Sequence, residues 1–211
     1  MIEINNKYSK RRLEILRSAA AVFHRRGYHG ATVDAIARAL NMTKGNLYYY
    51  FRHKEEMLFV CHDYSLDMLL KMLKRVEGGS LSPKEKLHQV IVGFVRITIH
   101  ELRGTMLLLD LEGLGPRRLR NIIQKRDSFD HGIRRIIEAG MAEGTFRKGD
   151  AKLITFAILG ALNWIARWFL AGGPVTFDQI GEAFARYLIA GLLVDRASRR
   201  SRVRPNSKGR I

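Results

Sequence analysis

The 211-residue sequence predicts an all-α fold, and three observations support that prediction. Apolar residues recur every three or four positions along almost the whole chain, which is the spacing of one face of a helix. No segment alternates apolar and polar residues over the length of a strand, and the sequence contains no Asn-Gly or Asp-Gly hairpin turn. With 46% apolar and 27% charged residues, the chain can bury a core and form a soluble globular protein.

The net charge of +17 is concentrated at the two ends of the chain. Residues 1–54 carry 11 Lys and Arg against 3 Asp and Glu, and residues 195–211 carry 7 against 1, whereas residues 55–194 carry 19 against 16. Such basic segments favour a polyanionic partner, with nucleic acid as the first candidate and an anionic membrane as the second. We expect a small anion-binding region, a nearly neutral body and a basic, disordered tail over 196–211.

Three helices are predicted in the first fifty residues. The first begins after Ser9, which can cap its N-terminus, and stops at Gly27. Thr32 and Thr43 are placed to cap the second and third helices, and residues 41–42 form the turn between them. The inward positions of the first helix are spaced by three or four residues: Leu13, Leu16, Ala20 and Phe23.

The body is predicted to contain five further helices. Gly79 ends the first of them, Pro83 begins the second, and the Gly-Leu-Gly-Pro segment at 113–116 interrupts the pattern. The predicted spans are 54–76, 83 to beyond 100, 117–143, 150–171 and 176–194.

The segment 153–171 is mostly apolar over 19 residues, about the length of a membrane-spanning helix. Asn163 and Arg167 lie inside it, and an arginine at mid-membrane costs about 3 kcal/mol on insertion scales. The partner segment 177–194 also carries charged residues. We therefore interpret both as helices buried in a bundle or a subunit interface and expect no membrane span. The chain starts polar and then basic, without a secretory signal, so we expect a cytoplasmic protein.

The segment 31–51, "ATVDAIARALNMTKGNLYYYF", has the pattern of a helix-turn-helix. Its first helix can hold the second by packing Ala35, Ile36 and Leu40 against Leu47. The second helix would then project into a major groove of DNA. Because that helix is only about two turns long, its first turn must make most of the base contacts.

The candidate DNA contacts fall into two groups. Gly45 is a poor helix former by about 1 kcal/mol, and a position without a side chain lets the backbone approach DNA closely. Hydroxyl groups, ammonium groups and helix N-termini are suited to phosphates. The candidate base contacts are Thr43, Lys44, Gly45 and Asn46, and the candidate phosphate contacts are Thr32, Tyr48, Tyr49 and Lys54.

The stretch 19–58, "AAAVFHRRGYHGATVDAIARALNMTKGNLYYYFRHKEEML", resembles the DNA-binding signature of the TetR family of bacterial transcriptional regulators. The aromatic run ahead of Phe51 and the Lys-Glu-Glu triplet that begins the connecting helix are both in place. An unrelated helical hairpin would need neither the Thr-Lys-Gly turn nor the tyrosine run. The resemblance implies a helix-turn-helix DNA-binding domain over 1–54, joined by a long helix to an effector-binding and dimerisation domain over 55–195. It also implies a homodimer on a pseudo-palindromic operator, with repression as the family default.

A second likeness lies in "LGALNWIARWF" (159–169) and "FDQIGEAFARYLIAGL" (177–192). These segments resemble the last two helices of the TetR branch that responds to acyl-CoA thioesters in fatty-acid or steroid degradation. In that branch the two helices pair with their symmetry mates in a four-helix dimer interface, and the excess apolar surface here agrees with dimerisation. Tight packing within one protomer is the alternative. The candidate interface residues are Ala157, Gly160, Ala161, Gly181 and Ala185.

The effector is expected to bind in an apolar pocket of the body. Trp164 is interpreted first as a core or interface anchor and second as part of that pocket. The basic run 117–126 has two interpretations, a solvated helix face or a site for the nucleotide phosphates of an acyl-CoA. A free fatty acid or other lipophilic compound is the alternative effector, for which the arginines would have no role. The candidate effector contacts are Phe94, Ile97, Met106, Leu109, Arg117, Arg118, Arg120, Arg126, Phe129 and Trp164.

Other functional classes have no matching signature in the sequence. The nucleophile elbow, the Walker loop, the dinucleotide fingerprint and the zinc-protease helix are all missing, so we expect neither an enzyme nor a cofactor. One cysteine, Cys61, excludes a disulfide framework and a four-thiolate zinc site, and the histidines lack paired metal spacing. A protein that compacts DNA non-specifically would explain the charge but not the apolar, nearly neutral body.

Overall fold

The computed structural model describes residues 10–101, 111, 113–169 and 173–194. Within them the chain is helical apart from turns and one isolated antiparallel bridge, so the all-α prediction is confirmed. The helices are α1 Lys10–Gly30, α2 Val33–Ala39, α3 Lys44–Tyr50, α4 Lys54–Gly78, α5 Pro83–Val95, α6 Pro116–Ala142, α7 Ala151–Trp168 and α8 Phe177–Ala190. The predicted tail over 196–211 and the candidate residues Met106 and Leu109 lie outside the described residues.

Helices α1, α2 and α3 are here called the head. Their ends are set by residues that act over a few positions of the chain. Gly27 has φ 67° and ψ 172°, a conformation that glycine adopts readily, and it kinks α1 at the predicted stop. The hydroxyl of Thr32 accepts a hydrogen bond from the Ala35 amide at 3.1 Å. The hydroxyl of Thr43 accepts one from the Asn46 amide at 3.2 Å. Both predicted N-caps are confirmed, and they fix where α2 and α3 begin.

The head has a small apolar core in which Leu16, Phe23, Ile36 and Leu47 are fully buried. Leu47 is the buried residue of α3, so this helix is anchored along one line and leaves its other faces accessible. The turn between α2 and α3 places Asn41 at φ 51°, a left-handed conformation that asparagine tolerates better than most residues. The short turn therefore sets the angle between the two helices, as the helix-turn-helix pattern predicts.

Helices α4 to α8 form the body, in which α4 and α6 run side by side in the same direction. Glu55 pairs with Arg118 near the start of both helices. Further along, Gly132 of α6 lets the two helices approach closely, because an ideal Cβ there would lie 2.2 Å from Cδ2 of Leu73. The predicted boundary at residue 54 coincides with the first residue of α4, the helix that connects head and body. The division into domains itself stays a prediction.

Helix α5 is shorter than the sequence predicts, because it changes geometry instead of continuing past residue 100. Its regular part ends at Val95, and Arg96–Glu101 form a π-helical segment. The hydroxyl of Thr98 donates to the Phe94 carbonyl at 2.7 Å, which provides that carbonyl with a partner where the helix widens.

The last predicted helix is also shorter than expected. Helix α8 ends at Ala190 because the residues after it pair with the turn that follows α6. The Arg147 amide donates to the Leu192 carbonyl at 2.8 Å, and the Val194 amide donates to the Thr145 carbonyl at 3.2 Å. Across the described ranges, no helix combines the length and apolar character needed to cross a membrane.

Candidate DNA interface and effector site

The structure brings the candidate base contacts together on the exposed first turn of α3. Thr43, Lys44, Gly45 and Asn46 are all exposed. Lys44 Nζ lies 3.2 Å from a carboxylate oxygen of Asp34 on α2, and both side chains remain half exposed. This ion pair holds the ammonium beside the turn without removing it from solvent, so it stays available to an anionic or acceptor group.

Gly45 has no packing reason to be glycine. An ideal Cβ at this position would meet only Thr43 Oγ1, at 3.9 Å, which is an ordinary van der Waals distance. The helix therefore accepts a residue with poor helix propensity although the protomer has room for alanine. The absence of a packing requirement agrees with the expectation that a DNA backbone approaches this position closely.

The tyrosines of α3 face solvent to different degrees. Tyr49 is 86% exposed and Tyr48 is 42% exposed. The Tyr49 ring packs edge-on against Tyr50 with the ring centroids 5.2 Å apart, which stiffens it in its exposed position. Tyr49 and Tyr48 can thus present hydroxyls beside the recognition turn, as their candidate phosphate roles require.

Lys54 is placed differently from its predicted role as a phosphate contact. Its ammonium donates to the carbonyl oxygens of Tyr28 at 2.8 Å and Ala31 at 3.0 Å, and it lies 4.3 Å from the centre of the Tyr28 ring. The side chain is partly buried in these contacts. Lys54 therefore fastens the first turn of α4 to the α1–α2 connection. Sequence spacing could not show this, because the carbonyls lie more than twenty residues away.

Glu55, Gly115 and Arg118, here called the Glu55 junction, connect the first turn of α4 to the start of α6. Glu55 Oε1 accepts from the Gly115 amide at 3.0 Å and lies 3.1 Å from Arg118 Nη1. The Gly115 amide, followed by Arg118, lowers the pKa of this carboxyl. Next to the junction, Gly113 packs so closely on Tyr28 of α1 that an ideal Cβ would lie 2.3 Å from the ring. The start of α6 thus contacts both α4 and the head.

A basic groove of about 560 Å³ opens beside this junction. Arg118 stacks over the Phe59 ring, with its guanidinium carbon 5.6 Å from the ring centre. The structure brings three of the four candidate arginines together here, and Arg126 lines a different cavity. The groove is lined by Phe59, Arg117, Arg118, Arg120, Asn121 and Gln124.

An apolar cavity of about 200 Å³ lies further along α4 and α6. Two candidate residues form part of its wall, Phe94 and Phe129, whose rings stack with centroids 5.9 Å apart. Arg126 contributes the charged edge, and its desolvation there lowers the pKa of the guanidinium. Ile97 is buried nearby in the core without lining the cavity. The lining residues are Leu66, Leu69, Phe94, Arg126, Phe129, Leu159 and Asn163.

The prediction that Trp164 lines the pocket is wrong. Its side chain is 62% exposed on the outer side of α7. The neighbouring Asn163 lines the cavity instead, because successive helix positions are rotated by about 100° from one another. The first interpretation of Trp164, an anchor on an interface, agrees better with this exposed position.

Sequence reasoning missed two buried polar residues of α4, His62 and Ser65. Both side chains are fully inaccessible to solvent, and their polar atoms have no hydrogen-bond partner in the part of the chain that the structure describes. The available signal was a row of apolar residues at heptad-like spacing, Phe59, Leu66 and Leu69, in which residue 62 is polar. Whether residue 62 has a hydrogen-bond partner depends on the residues of α6 that pack against it. The pattern within α4 carries no information about those residues.

The outer face of α7 and α8 exposes large apolar residues. Ala157 and Gly160 lie exposed on this face, and Ala161 is half-buried at its edge. The exposed large residues on or next to it are Leu153, Phe156, Trp164, Trp168, Val175 and Tyr187. The two helices meet where the Trp168 ring stacks on Phe184, with the ring centroids 6.3 Å apart. Large apolar residues exposed in one patch are characteristic of an interaction site.

Two candidate interface residues belong to the interior instead. Gly181 and Ala185 are buried on the inner side of α8. An ideal Cβ at Gly181 would lie 3.4 Å from the Val92 Cα of α5, an ordinary contact distance, so this position faces α5 within the protomer. The two small residues of α8 therefore pack within the protomer, and the interface role of Ala157, Gly160 and Ala161 on α7 stays a prediction.

Two further sequence observations concern metal and thiol chemistry. Over the described ranges, no three or more His, Cys, Asp or Glu side chains are grouped so as to hold a metal ion. Cys61 is buried and its thiol lies 3.7 Å from the Leu16 carbonyl. Burial raises the pKa of that thiol to about 12, so it stays protonated and unreactive at neutral pH.

The head presents an exposed recognition turn, and the helical body contains a groove and a cavity. This combination defines a helix-turn-helix regulator of transcription. Two family models match the chain: bacterial regulatory proteins of the tetR family over residues 15–61, and the tetracyclin repressor-like C-terminal domain over residues 80–192. The chain belongs to the TetR family.

Individual relatives extend over nearly the whole chain. The transcriptional repressor KstR2 of Mycobacterium tuberculosis is 26% identical over 195 residues, covering 91% of this chain and 98% of KstR2. The crystal structure of the TetR family regulator PfmR from Thermus thermophilus matches with a TM-score of 0.77 at 30% identity, covering 84% and 98% of the two chains. AibR, crystallised with isovaleryl coenzyme A and operator DNA, matches with a TM-score of 0.72 at 25% identity, covering 85% and 96%.

Proposed function

We propose that this TetR family regulator is a homodimeric repressor that an acyl-CoA thioester releases from a pseudo-palindromic operator. The observation that supports this most directly is the arrangement along α4 and α6. The basic groove and the apolar cavity follow one another on these two helices, and the groove adjoins the Glu55 junction with the head. A ligand with a phosphorylated headgroup and an apolar chain matches that arrangement.

The DNA-binding half of the proposal requires two copies of the chain. Each protomer has a single recognition helix, and a two-fold dimer presents two such helices to matched half-sites. The exposed apolar face of α7 and α8 supplies the surface for the second copy. Trp164 and Tyr187, 62% and 68% exposed, are the two most exposed aromatic residues described on this face.

The effector half of the proposal divides the ligand between two sites. Arg117, Arg118 and Arg120 supply guanidinium groups, which bind phosphate oxygens through paired hydrogen bonds. The cavity of about 200 Å³ holds six or seven groups of about 30 Å³ each, which suits a short acyl chain. The AibR complex, with isovaleryl coenzyme A and operator DNA, supports the assignment as a relative of the same fold.

The Glu55 junction offers a route from the groove to the DNA-binding head. Arg118 lines the groove and also pairs with Glu55, so ligand phosphates would compete with Glu55 for the same guanidinium. Loss of that pair would loosen the start of α6 from α4 and shift the population toward an arrangement with the recognition helices misplaced. To control DNA binding, the ligand must favour that arrangement about 10- to 100-fold, or about 1.4–2.8 kcal/mol.

Titration of the protein–operator complex tests this proposal. An operator selected from random DNA would be labelled, and its release followed by fluorescence anisotropy as hexanoyl-CoA or hexanoic acid is added. We expect release by hexanoyl-CoA at concentrations where the free acid has no effect. The double variant Arg117→Ala/Arg118→Ala should lose this response. Because it also removes the Glu55–Arg118 pair, its operator affinity without ligand should already be lower.

The matched control is Lys74→Ala/Arg75→Ala, which removes two exposed positive charges from the distant end of α4. It should respond to hexanoyl-CoA like the unaltered protein. Release by the free acid alone would identify a sensor of free lipophilic compounds instead. An unchanged CoA response in Arg117→Ala/Arg118→Ala would show that these arginines do not bind the phosphates.

A further inference from the structure

Helix α4 buries the polar side chains of His62 and Ser65. Both ring nitrogens of His62 and the hydroxyl of Ser65 are buried without a hydrogen-bond partner among the described residues. Nine in ten or more buried polar groups in proteins are paired, and each unpaired one costs about 1–3 kcal/mol. Two such residues within one turn of the same helix indicate a place where a partner outside the protein is expected.

Their position on α4 relates them to the effector site. Phe59, one turn before His62, lines the basic groove, and Leu66 and Leu69, in the following turns, line the apolar cavity. His62 and Ser65 therefore lie between groove and cavity, within the roughly 10 Å of helix that separates Phe59 from Leu66. Arg126 of the cavity wall is close enough to influence the charge of His62. The lining of neither site includes the two side chains, which are buried in the stretch of α4 between them. A ligand that joins groove and cavity would have to part the side chains over this stretch, and it would then meet His62 and Ser65.

The protonation state of His62 limits what it can bind. Desolvation, followed by the positive charge of Arg126, lowers the pKa of His62 to about 3, so the ring is neutral at physiological pH. A neutral imidazole provides one donor and one acceptor, and a serine hydroxyl provides a second donor. The two can donate together to a neutral carbonyl oxygen. A carboxylate would first lose its hydration, which costs far more than desolvating a neutral carbonyl.

We propose that His62 and Ser65 form a carbonyl subsite that binds the acyl carbonyl oxygen of the effector where its headgroup joins its apolar chain. This inference rests on the proposed function, because it assumes that an acyl ligand spans the groove and the cavity. The chemical class that fits is a thioester or ester with an apolar chain. A thioether and a free acid of the same chain length fit less well.

Two coenzyme A derivatives that differ only at this carbonyl test the subsite. Hexanoyl-CoA carries the thioester carbonyl, whereas S-hexyl-CoA has a methylene group in its place. Isothermal titration of the full-length protein should show hexanoyl-CoA binding about 10- to 100-fold more tightly, because the analogue leaves buried donors unpaired. In His62→Leu/Ser65→Ala this preference should fall to about one, with S-hexyl-CoA binding retained.

Stability measurements separate a ligand-binding role from a structural one. Because His62→Leu replaces an unpaired buried polar ring with an apolar side chain, thermal unfolding of the variant should occur at the same or a higher temperature. The milder Ser65→Ala alone should reduce the preference by a smaller factor, and it provides a second reading if the double variant folds poorly. Thr155→Val is the control, since its buried hydroxyl already donates to the Ala151 carbonyl at 2.8 Å; this variant should keep the full preference.

The possible failures are distinguishable. Equal binding of hexanoyl-CoA and S-hexyl-CoA by the unaltered protein would overturn the carbonyl subsite and leave the proposed acyl-CoA response standing. A preference that persists in His62→Leu/Ser65→Ala would show that the carbonyl is bound elsewhere. Binding of neither compound, with no release of the operator, would overturn the proposed function and the subsite with it.

Discussion

The head and the body of this protein differ in which side chains they bury and which they expose to solvent. In the head, the apolar residues Ile36 and Leu47 are buried, and the polar residues of the recognition turn face solvent. The body reverses this at two places, because His62 is buried and unpaired among the described residues while Trp164 is exposed. The contrast agrees with the proposed function, in which the head acts through its surface as it stands, whereas the body binds a ligand inside and a second protomer outside.

The largest effect on operator affinity is expected from charged substitutions on the outer face of α7 and α8. Trp164→Glu/Tyr187→Glu places two charges on the exposed face of α7 and α8, where both side chains now contact solvent in the protomer. We expect helical monomers by sedimentation velocity and circular dichroism. Operator affinity should fall by a hundredfold or more, since interface anchors each contribute about 2–4 kcal/mol.

Two further variants show whether that loss belongs to the face itself. Ile123→Glu alters another exposed apolar residue, 43% exposed on α6, and should leave a dimer that binds the operator. Ala185→Arg should unfold the protein instead of producing monomers, because Ala185 is fully buried on the inner side of α8. A dimeric Trp164→Glu/Tyr187→Glu variant would place the interface elsewhere.

In the head, Gly45→Ala should separate DNA binding from stability. Alanine fits without a clash and is the better helix former by about 1 kcal/mol, so chemical denaturation should show equal or higher stability. Operator affinity should nevertheless fall about 10- to 100-fold, because the added methyl group occupies the space of the DNA backbone. Gly78→Ala, at the far end of α4 and equally unobstructed, should leave the affinity unchanged. Full affinity in Gly45→Ala would remove the close-approach explanation.

Lys54→Met tests the boundary between the two regions. Since the ammonium is bound to the Tyr28 and Ala31 carbonyls, its loss should lower the free energy of unfolding by about 1–3 kcal/mol. The slope of operator affinity against salt should stay the same, because no phosphate contact is lost. A slope reduced by about one unit at unchanged stability would instead support the original assignment of Lys54 to a phosphate.

The smallest effect concerns the pH dependence of the body. The pKa of His62 is about 3 in the folded protein and about 6.5 when unfolded, so between these values only the unfolded chain binds the proton. Stability should therefore fall as the pH is lowered through 6.5, by about 1 kcal/mol between pH 7 and 5.5. Urea denaturation at both pH values should show that His62→Leu loses about 1 kcal/mol less stability than the unaltered protein. An identical loss in the variant would indicate that His62 is accessible to protons.

Much of the head could be predicted because its signals act over short distances. Thr32 and Thr43 cap helices whose amides lie three residues away, and Gly27 interrupts α1 by its own backbone preference. The family resemblance rests on the same contiguous stretch. The contacts of Lys54 within the protomer could not be predicted, because its partners lie 23 and 26 residues away in the chain.

In the body, the sequence determined which segments are helical and that two of them are unusually apolar. It could not determine which side of each helix faces the interior, so small residues on both α7 and α8 were assigned to one interface. Only the tertiary structure placed Gly181 against α5 and Trp164 in solvent, because packing partners decide that choice. For the same reason, only the packing of α6 against α4 shows that the ring nitrogens of His62 have no hydrogen-bond partner among the described residues. Helix formation is encoded by neighbouring residues, whereas burial depends on residues that are distant in the chain.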